Sequence, residues 1–223
     1  MIIKDQILSK IEDFIKEGKR VFCTSSFQTQ SVPLLHILSE SNNSIPILFI
    51  NTRFHFPETL QFKEKLRKEM SLNIIDVFPS IKLNEQKDIN GKFHYISDPD
   101  YCCNINKVSP LSEFMRKEKY DVWISGIRRN QTANRKILNE IEETPEGIIR
   151  YHPILFWTDQ DIENYSTENH LPSHPLHSHG YNSIGCEPCT KKIVNNNARA
   201  NRWIGKNKTE CGLHTTLIRK RIN

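Results

Sequence analysis

Apolar positions along the chain change period several times, and each change marks an element. Ile3, Ile7, Leu8, Ile11, Phe14 and Ile15 recur at helical spacing and stop at Gly18, which predicts an amphipathic helix over residues 2–18. Val21-Phe22-Cys23 follows as a short apolar strand, with Cys23 a core residue on it. Residues 24–31 form a hydroxyl-rich turn that runs into a helix carrying Val32, Leu35 and Leu38. Residues 46–50 are continuously apolar, as a strand buried on both faces should be. After a polar turn over 51–56, Pro57 opens a helix with Leu60, Phe62, Leu66 and Met70 inward, and 73–78 is the next strand.

Residues 79–101 have few apolar positions and predict a long, mobile surface loop. It delivers Cys102-Cys103, then a helix from Ser109-Pro110 with Val108, Leu111 and Phe114 inward. A strand over 122–125, a last strand over 148–151 and a capped helix start at 158–161, with Ile162 and Tyr165 inward, complete the pattern. Strands alternating with helices predict an α/β fold with a doubly wound, mostly parallel sheet and ligand-binding loops at the strand ends. No internal repeat interrupts it.

At 223 residues the chain accommodates one full domain, taken as 1–205, and a C-terminal tail, 206–223. No apolar run approaches the ~20 residues that a membrane helix needs, so a soluble protein is expected. No secretory signal is visible, which points to the reducing cytoplasm. The formal charge of +5 favours an anionic partner; the plainer explanation is a lysine-rich surface, and charge alone leaves nucleic acid open. Six cysteines exceed what packing needs, so metal binding or thiol chemistry becomes the leading explanation.

Cys186-Glu187-Pro188-Cys189 has the spacing of two thiols turned onto one metal, with Pro188 stiffening the turn. With Cys102-Cys103 it supplies four sulfur ligands, suited to a structural zinc or to an iron-sulfur cluster; spacing does not choose between them. A thioredoxin-like redox pair would need a strand-to-helix context near a chain start, and structural disulfides would need an oxidising compartment. The turn at Ser25, Ser26 and Ser31 serves equally as an anion site or as a helix cap. The basic cluster in 126–131, at the C-terminal end of a strand, faces the crevice and favours anion binding.

Taken in order, several stretches resemble the phosphoadenylyl-sulfate and adenylyl-sulfate reductases of assimilatory sulfate reduction. They are Cys102-Cys103 with Lys107, Trp123-x-Ser125-Gly126-x-Arg128-Arg129-x-Gln131, and Leu171-Pro172-x-His174-Pro175-Leu176. Further on come Gly180-Tyr181-x-Ser183-Ile184-Gly185-Cys186-x-Pro188-Cys189-Thr190, Arg199-x-x-Arg202-Trp203 and Glu210-Cys211-Gly212-Leu213-His214. The resemblance implies a PP-loop nucleotide-binding fold, in which Ser25, Ser26 and Ser31 hold the substrate phosphate. It implies a 4Fe-4S cluster on Cys102, Cys103, Cys186 and Cys189, and Cys211 as nucleophile on a flexible tail hinged at Gly212. Cys211 would attack the sulfonyl sulfur of adenylyl sulfate, expel AMP and leave an S-sulfonated enzyme, from which thioredoxin or glutaredoxin releases sulfite. Lys107, Arg128, Arg135, Arg199 and Arg202 match the family's substrate-binding cations, and His214 with Lys206 and Lys208 would favour the thiolate.

The sequence departs from the family pattern at Gln28, Asn51, Arg53, Asn106 and Asn130. Gln28 and Arg53 stand at usual glycines. Two cysteine pairs accompany adenylyl sulfate in this family, but a cation at position 53, placed near the ribose, would tolerate a 3′-phosphate, so dual use is the runner-up. Two rivals are a PP-loop enzyme that splits ATP, which leaves 210–214 unexplained, and a zinc-stabilised nucleic-acid module, for which no aromatic interleaving is present. Neither nucleic acid nor membrane is expected as a partner; a homo-oligomer stays open.

Overall fold

The computed structural model describes residues 2–192, 201–206, 208 and 210–214. α1 (Ile2–Lys16) leads to β1 (Val21–Thr24), α2 (Val32–Ser39), β2 (Ile47–Ile50), α3 (Pro57–Glu69) and β3 (Ile74–Val77). Next come two short helices, α4 (His94–Ser97) and α5 (Pro99–Cys103), then α6 (Ser109–Glu118) and β4 (Val122–Ser125). β5 (Ile141–Glu143), β6 (Ile149–Tyr151) and α7 (Asp159–Glu168) follow.

The sheet order is β3-β2-β1-β4-β6-β5, parallel except at the β5 edge. Cys23 pairs with Ile47 on one side and Ile124 on the other. The chain steps from β1 outward to β3, then returns to place β4 on the opposite flank of β1. That reversal opens a crevice beyond the carboxyl ends of β1 and β4, where ligands bind in open α/β sheets.

Strand alternation divides the core between two faces. Val21, Cys23, Ile47, Phe49 and Ile124 pack with Ile7, Ile11 and Phe14 of α1, Leu35 of α2, Leu66 of α3 and Ile162 of α7. Phe22, Leu48, Val77 and Trp123 face the other way, onto Leu111 of α6 and Tyr120. α7 begins in a capping box: the Asp161 N–H donates to Thr158 Oγ1 at 3.1 Å, and the Thr158 N–H to Asp161 Oδ2 at 2.7 Å. Among the described residues no helix is long and apolar enough to cross a membrane.

Two features depart from the sequence expectation. β5 carries an exposed, acidic pattern that no period-2 rule detects, because an edge strand has little to bury. The 79–101 segment is not simply a surface loop, since Gln86 is 1% exposed and exchanges two amide hydrogen bonds with Asn106, at 3.0 and 2.7 Å. Phe93 and Tyr95 also stack on each other and meet Phe54 edge-on. A polar pair satisfied only by a distant partner leaves no trace in hydrophobic periodicity.

Candidate functional site

β1 ends at Thr24, whose Oγ1 accepts from the Trp123 indole N–H at 2.8 Å, so the turn after it is anchored to β4. Ser25 Oγ then accepts from the Phe27 N–H at 3.1 Å, while Phe27 takes the left-handed conformation with φ 53°. Ser31 precedes α2 but makes no capping hydrogen bond. It lines the cleft beside Ser25 and Ser26. Gln28 has extended backbone, φ −79° and ψ 161°, so no glycine is needed there; its Oε1 accepts from the Ile184 N–H at 3.2 Å and joins this turn to the cysteine loop.

The crevice is an open cleft at this end of the sheet. Ser25, Ser26 and Ser31 line it together with Gly126, Gln131, Arg135, Gly185, Lys107, Arg202 and Cys211. A second, small cavity is lined by Cys102, Cys103, Cys186 and Cys189 and shares Lys107, Arg202 and Trp203 with the cleft. Those three side chains therefore stand between the cleft and the four thiols.

The double cysteine closes α5, where a π-type turn over Asn104–Val108 begins before α6 continues. Such turns re-aim side chains and recur at functional sites. Cys186 precedes and Cys189 ends the short turn Glu187–Cys189, and Cys186 forms an antiparallel bridge with His55. All six cysteines are free thiols, and the Cys186–Cys189 turn lies in a loop without the strand-to-helix setting of a redox pair. The four thiols line one small cavity together. Two sulfurs have polar neighbours, Thr52 Oγ1 at 3.3 Å from Cys186 Sγ and the Asn106 amide at 3.6 Å from Cys102 Sγ. Burial, then the Cys186 and Cys189 sulfurs, pushes the Cys102 thiol up to about 12. Ligation by a cation is what would hold it as a thiolate.

Burial pulls the Lys107 pKa down, but negative charge on the Cys186, Cys211 and Cys103 sulfurs outweighs that and holds its ammonium charged. Arg202 donates from Nε to the Cys189 carbonyl at 3.2 Å and lies 4.4 Å over the Trp203 ring. Cys211 is half-buried, and its thiol is held well below the usual range by a hydrogen bond from Cys103, against burial, and then by Lys107, the Leu213 N–H and Arg202. The leading cations are thus Lys107 and Arg202. Lys206 instead donates to the Ile96 carbonyl, and Lys208 pairs with Asp100 and lies 5.8 Å over the Trp203 ring.

Two predicted substrate cations are spent elsewhere. Arg128 does not line the cleft: it is 1% exposed, donating to Asp159 Oδ1 at 2.6 Å and to the Trp157 carbonyl at 3.3 Å, where it ties the start of α7 to the β4 loop. Arg135 lines the cleft, but Glu210 engages its guanidinium at 2.9 and 3.0 Å. Arg53 does not line the cleft either. It takes φ 64°, donates to the Ile81 carbonyl at 3.1 Å and lies 5.6 Å over the Phe78 ring. Arg199 lies outside the described residues, and His214 closes the backbone turn Gly212–His214.

His174 was legible only as part of a motif, and the structure gives it a mechanical role. It accepts at Nδ1 from the Leu176 N–H at 3.1 Å, so Nε2 carries the proton that it shares with Thr59 Oγ1 at 3.0 Å. Its backbone N–H donates to Thr29 Oγ1 at 3.0 Å, which fixes the 174–190 segment to both α3 and the serine turn. The serine of β4, Ser125, lines the cleft 2.8 Å from Nδ1 of buried His152, a pairing with no signal in the sequence.

A family model described as the phosphoadenosine phosphosulfate reductase domain matches residues 20–192. An adenosine 5'-phosphosulfate reductase of Bacillus cereus (strain Q1) is 39% identical over 211 residues, 93% of this chain and 89% of that protein. One of Bacillus mycoides (strain KBAB4) is 40% identical over 192 residues, 85% of this chain and 81% of that protein. Among solved structures, a phosphoadenylyl-sulfate reductase from Candida auris in a phosphate complex shares the fold, with TM-score 0.70 and 22% identity over 83% of this chain and 89% of that one. Yeast FAD synthetase in complex with FAD is similar at TM-score 0.60 and 17% identity, over 87% and 68% of the two chains.

Proposed function

The chain belongs to the phosphoadenosine phosphosulfate reductase domain family, and on that premise we propose that it is a thioredoxin-dependent adenylyl-sulfate reductase whose nucleophile is Cys211. The observation that carries this reading is the meeting, in one cleft, of the serine turn, Lys107, Arg202 and Cys211. Ser25, Ser26 and Ser31 receive phosphate oxygens beside the start of α2, and the two cations face the sulfonyl end.

In the first half-reaction the Cys211 thiolate attacks the sulfonyl sulfur. A sulfur–sulfur bond forms as the bond from sulfur to the bridging oxygen breaks, and the electron pair leaves on the AMP phosphate. Lys107 and Arg202 stabilise the charge as it moves onto that oxygen. In the second, a thiolate of thioredoxin, or of a glutaredoxin, attacks Cys211 Sγ and sulfite departs. Its second thiol then resolves the mixed disulfide, so two thiols supply the two electrons. These thiols require a reducing compartment, which assigns the protein to the cytoplasm.

Cys102, Cys103, Cys186 and Cys189 would hold a 4Fe-4S cluster. The support is an all-sulfur donor set, four thiols lining one cavity, with Thr52 and Asn106 beside two of the sulfurs. The group would supply fixed charge and structure, with Lys107 between it and the substrate. Adenylyl sulfate is the favoured nucleotide because both cysteine pairs are present and because Arg53, the residue that argued for a 3′-phosphate, is turned away. Cys211 belongs to the C-terminal segment taken as 206–223, whose described residues Glu210 and Leu213 pack back on the domain.

Anaerobic sulfite release from each nucleotide tests the assignment, with iron and acid-labile sulfide measured on the same sample. A higher kcat/KM for adenylyl sulfate and a brown, iron-containing protein are expected. A clear preference for the 3′-phosphorylated nucleotide, or stoichiometric zinc with negligible iron, overturns the corresponding part.

A further inference from the structure

We infer that Glu210 is the positioning residue that seats Cys211 in the cleft, by inserting its carboxylate into a buried socket made of Arg135 and Thr132. Arg135 donates from Nε to Glu210 Oε1 at 2.9 Å and from a terminal nitrogen to Oε2 at 3.0 Å, a bidentate pairing. Thr132 Oγ1 donates to the same Oε1 at 2.5 Å. Glu210 and Arg135 are 4% and 6% exposed, so water replaces neither partner. The socket is itself braced: Gln131 Oε1 accepts from the other terminal nitrogen of Arg135 and from the Arg128 N–H, the latter at 3.1 Å.

Cys211 is the next residue, and on its far side Leu213 packs against the apolar cluster that includes Phe22, Leu48 and Trp123 on the sheet. The tail is thus held at two points that bracket the thiol, one ionic and one apolar. With Arg135 committed to Glu210 and Gln131, its guanidinium serves the tail and not the substrate.

The consequence rests on Cys211 being the nucleophile. Sulfonation needs Cys211 inside the cleft, whereas release of sulfite needs it where another protein's thiol can reach it. A pair that is close to neutral in net stability, but costly to break from one side, suits a latch that must close and reopen.

Two measurements on anaerobic, cluster-loaded enzyme test this. One is the alkylation rate of Cys211 by iodoacetamide, followed by peptide mass spectrometry. The other is the single-turnover rate of S-sulfonate formation, compared with the rate of its reduction. Glu210→Ala is expected to alkylate about tenfold faster or more, the change expected from ~1.4 kcal/mol of lost closure. It should sulfonate correspondingly slower, with nucleotide affinity and the reductive step unchanged. Glu210→Gln, which keeps the side-chain shape, carries the same expectation if the alanine variant fails to fold. Exchanging the pair as Arg135→Glu with Glu210→Arg should restore slow alkylation. Unchanged alkylation in both single variants overturns the latch, and so does a loss of nucleotide affinity in the Glu210 variants with sulfonation of the bound nucleotide intact. Faster alkylation with S-sulfonate formed in neither wild type nor variant supports the latch and removes Cys211 from the chemistry.

Discussion

A Cβ on residue 185 would fall 2.3 Å from a terminal nitrogen of Arg202, so Gly185 and that guanidinium occupy touching positions. Arg202 is held there by the Cys189 carbonyl and the Trp203 ring, on the partition between the cleft and the four thiols. Gly185→Ala is therefore expected to push the guanidinium aside and leave the fold in place. The expected loss in kcat/KM is about ten- to a hundredfold, the range for losing one well-placed cation at a developing charge. Steady-state kinetics together with a thermal melt checks it; unaltered kcat/KM would remove Arg202 from the reaction.

Cys211→Ser should bind adenylyl sulfate with near-normal affinity, because Ser25, Ser26, Ser31 and Lys107 are untouched. No S-sulfonated protein should form. Nucleotide titration and intact-protein mass spectrometry separate the two properties. Normal sulfite production by the variant would contradict the mechanism.

Arg53→Gly should leave the ratio of kcat/KM for the two nucleotides unchanged, since Arg53 is bound to the Ile81 carbonyl and the Phe78 ring outside the cleft. A small gain in stability is expected, on the order of 1 kcal/mol at most, because glycine adopts φ near 64° without the clash of a Cβ. A shift in nucleotide preference would place Arg53 at the ribose after all.

Burial lowers the His174 pKa to about 4, from an ordinary 6.5, and that of His152 to about 3 with help from the charges of Arg150 and Arg135. The folded protein keeps both rings neutral where the unfolded chain binds protons. Their contribution is therefore fully present above pH 6.5 and is lost as pH falls toward 4 and 3 respectively. Each ring should cost up to about 1.4 kcal/mol per pH unit inside its window. Melts of the anaerobic protein between pH 7.5 and 5 should show this slope, shallower in His174→Gln; equal slopes would mean that His174 is not the group responsible.

Local chemistry made much of this protein legible from its sequence. Apolar runs over 21–23, 46–50 and 122–125 identify central strands because a strand covered on both faces has no polar position to offer. The Cys186–Cys189 pair and the double cysteine likewise announce a thiol site through spacing alone. Direction is what a one-dimensional string does not hold. Arg53, Arg128 and Arg135 all read as cations near a ligand, yet one turns outward, one clamps Asp159 and one clamps Glu210. Which acceptor each meets depends on contacts 28, 31 and 75 residues away. Buried guanidinium groups must be paired, and packing decides with what. Gln86 and Asn106 show the same limit: two amides that look like loop surface become a buried support for Cys102 only when the 79–101 segment folds back onto α5.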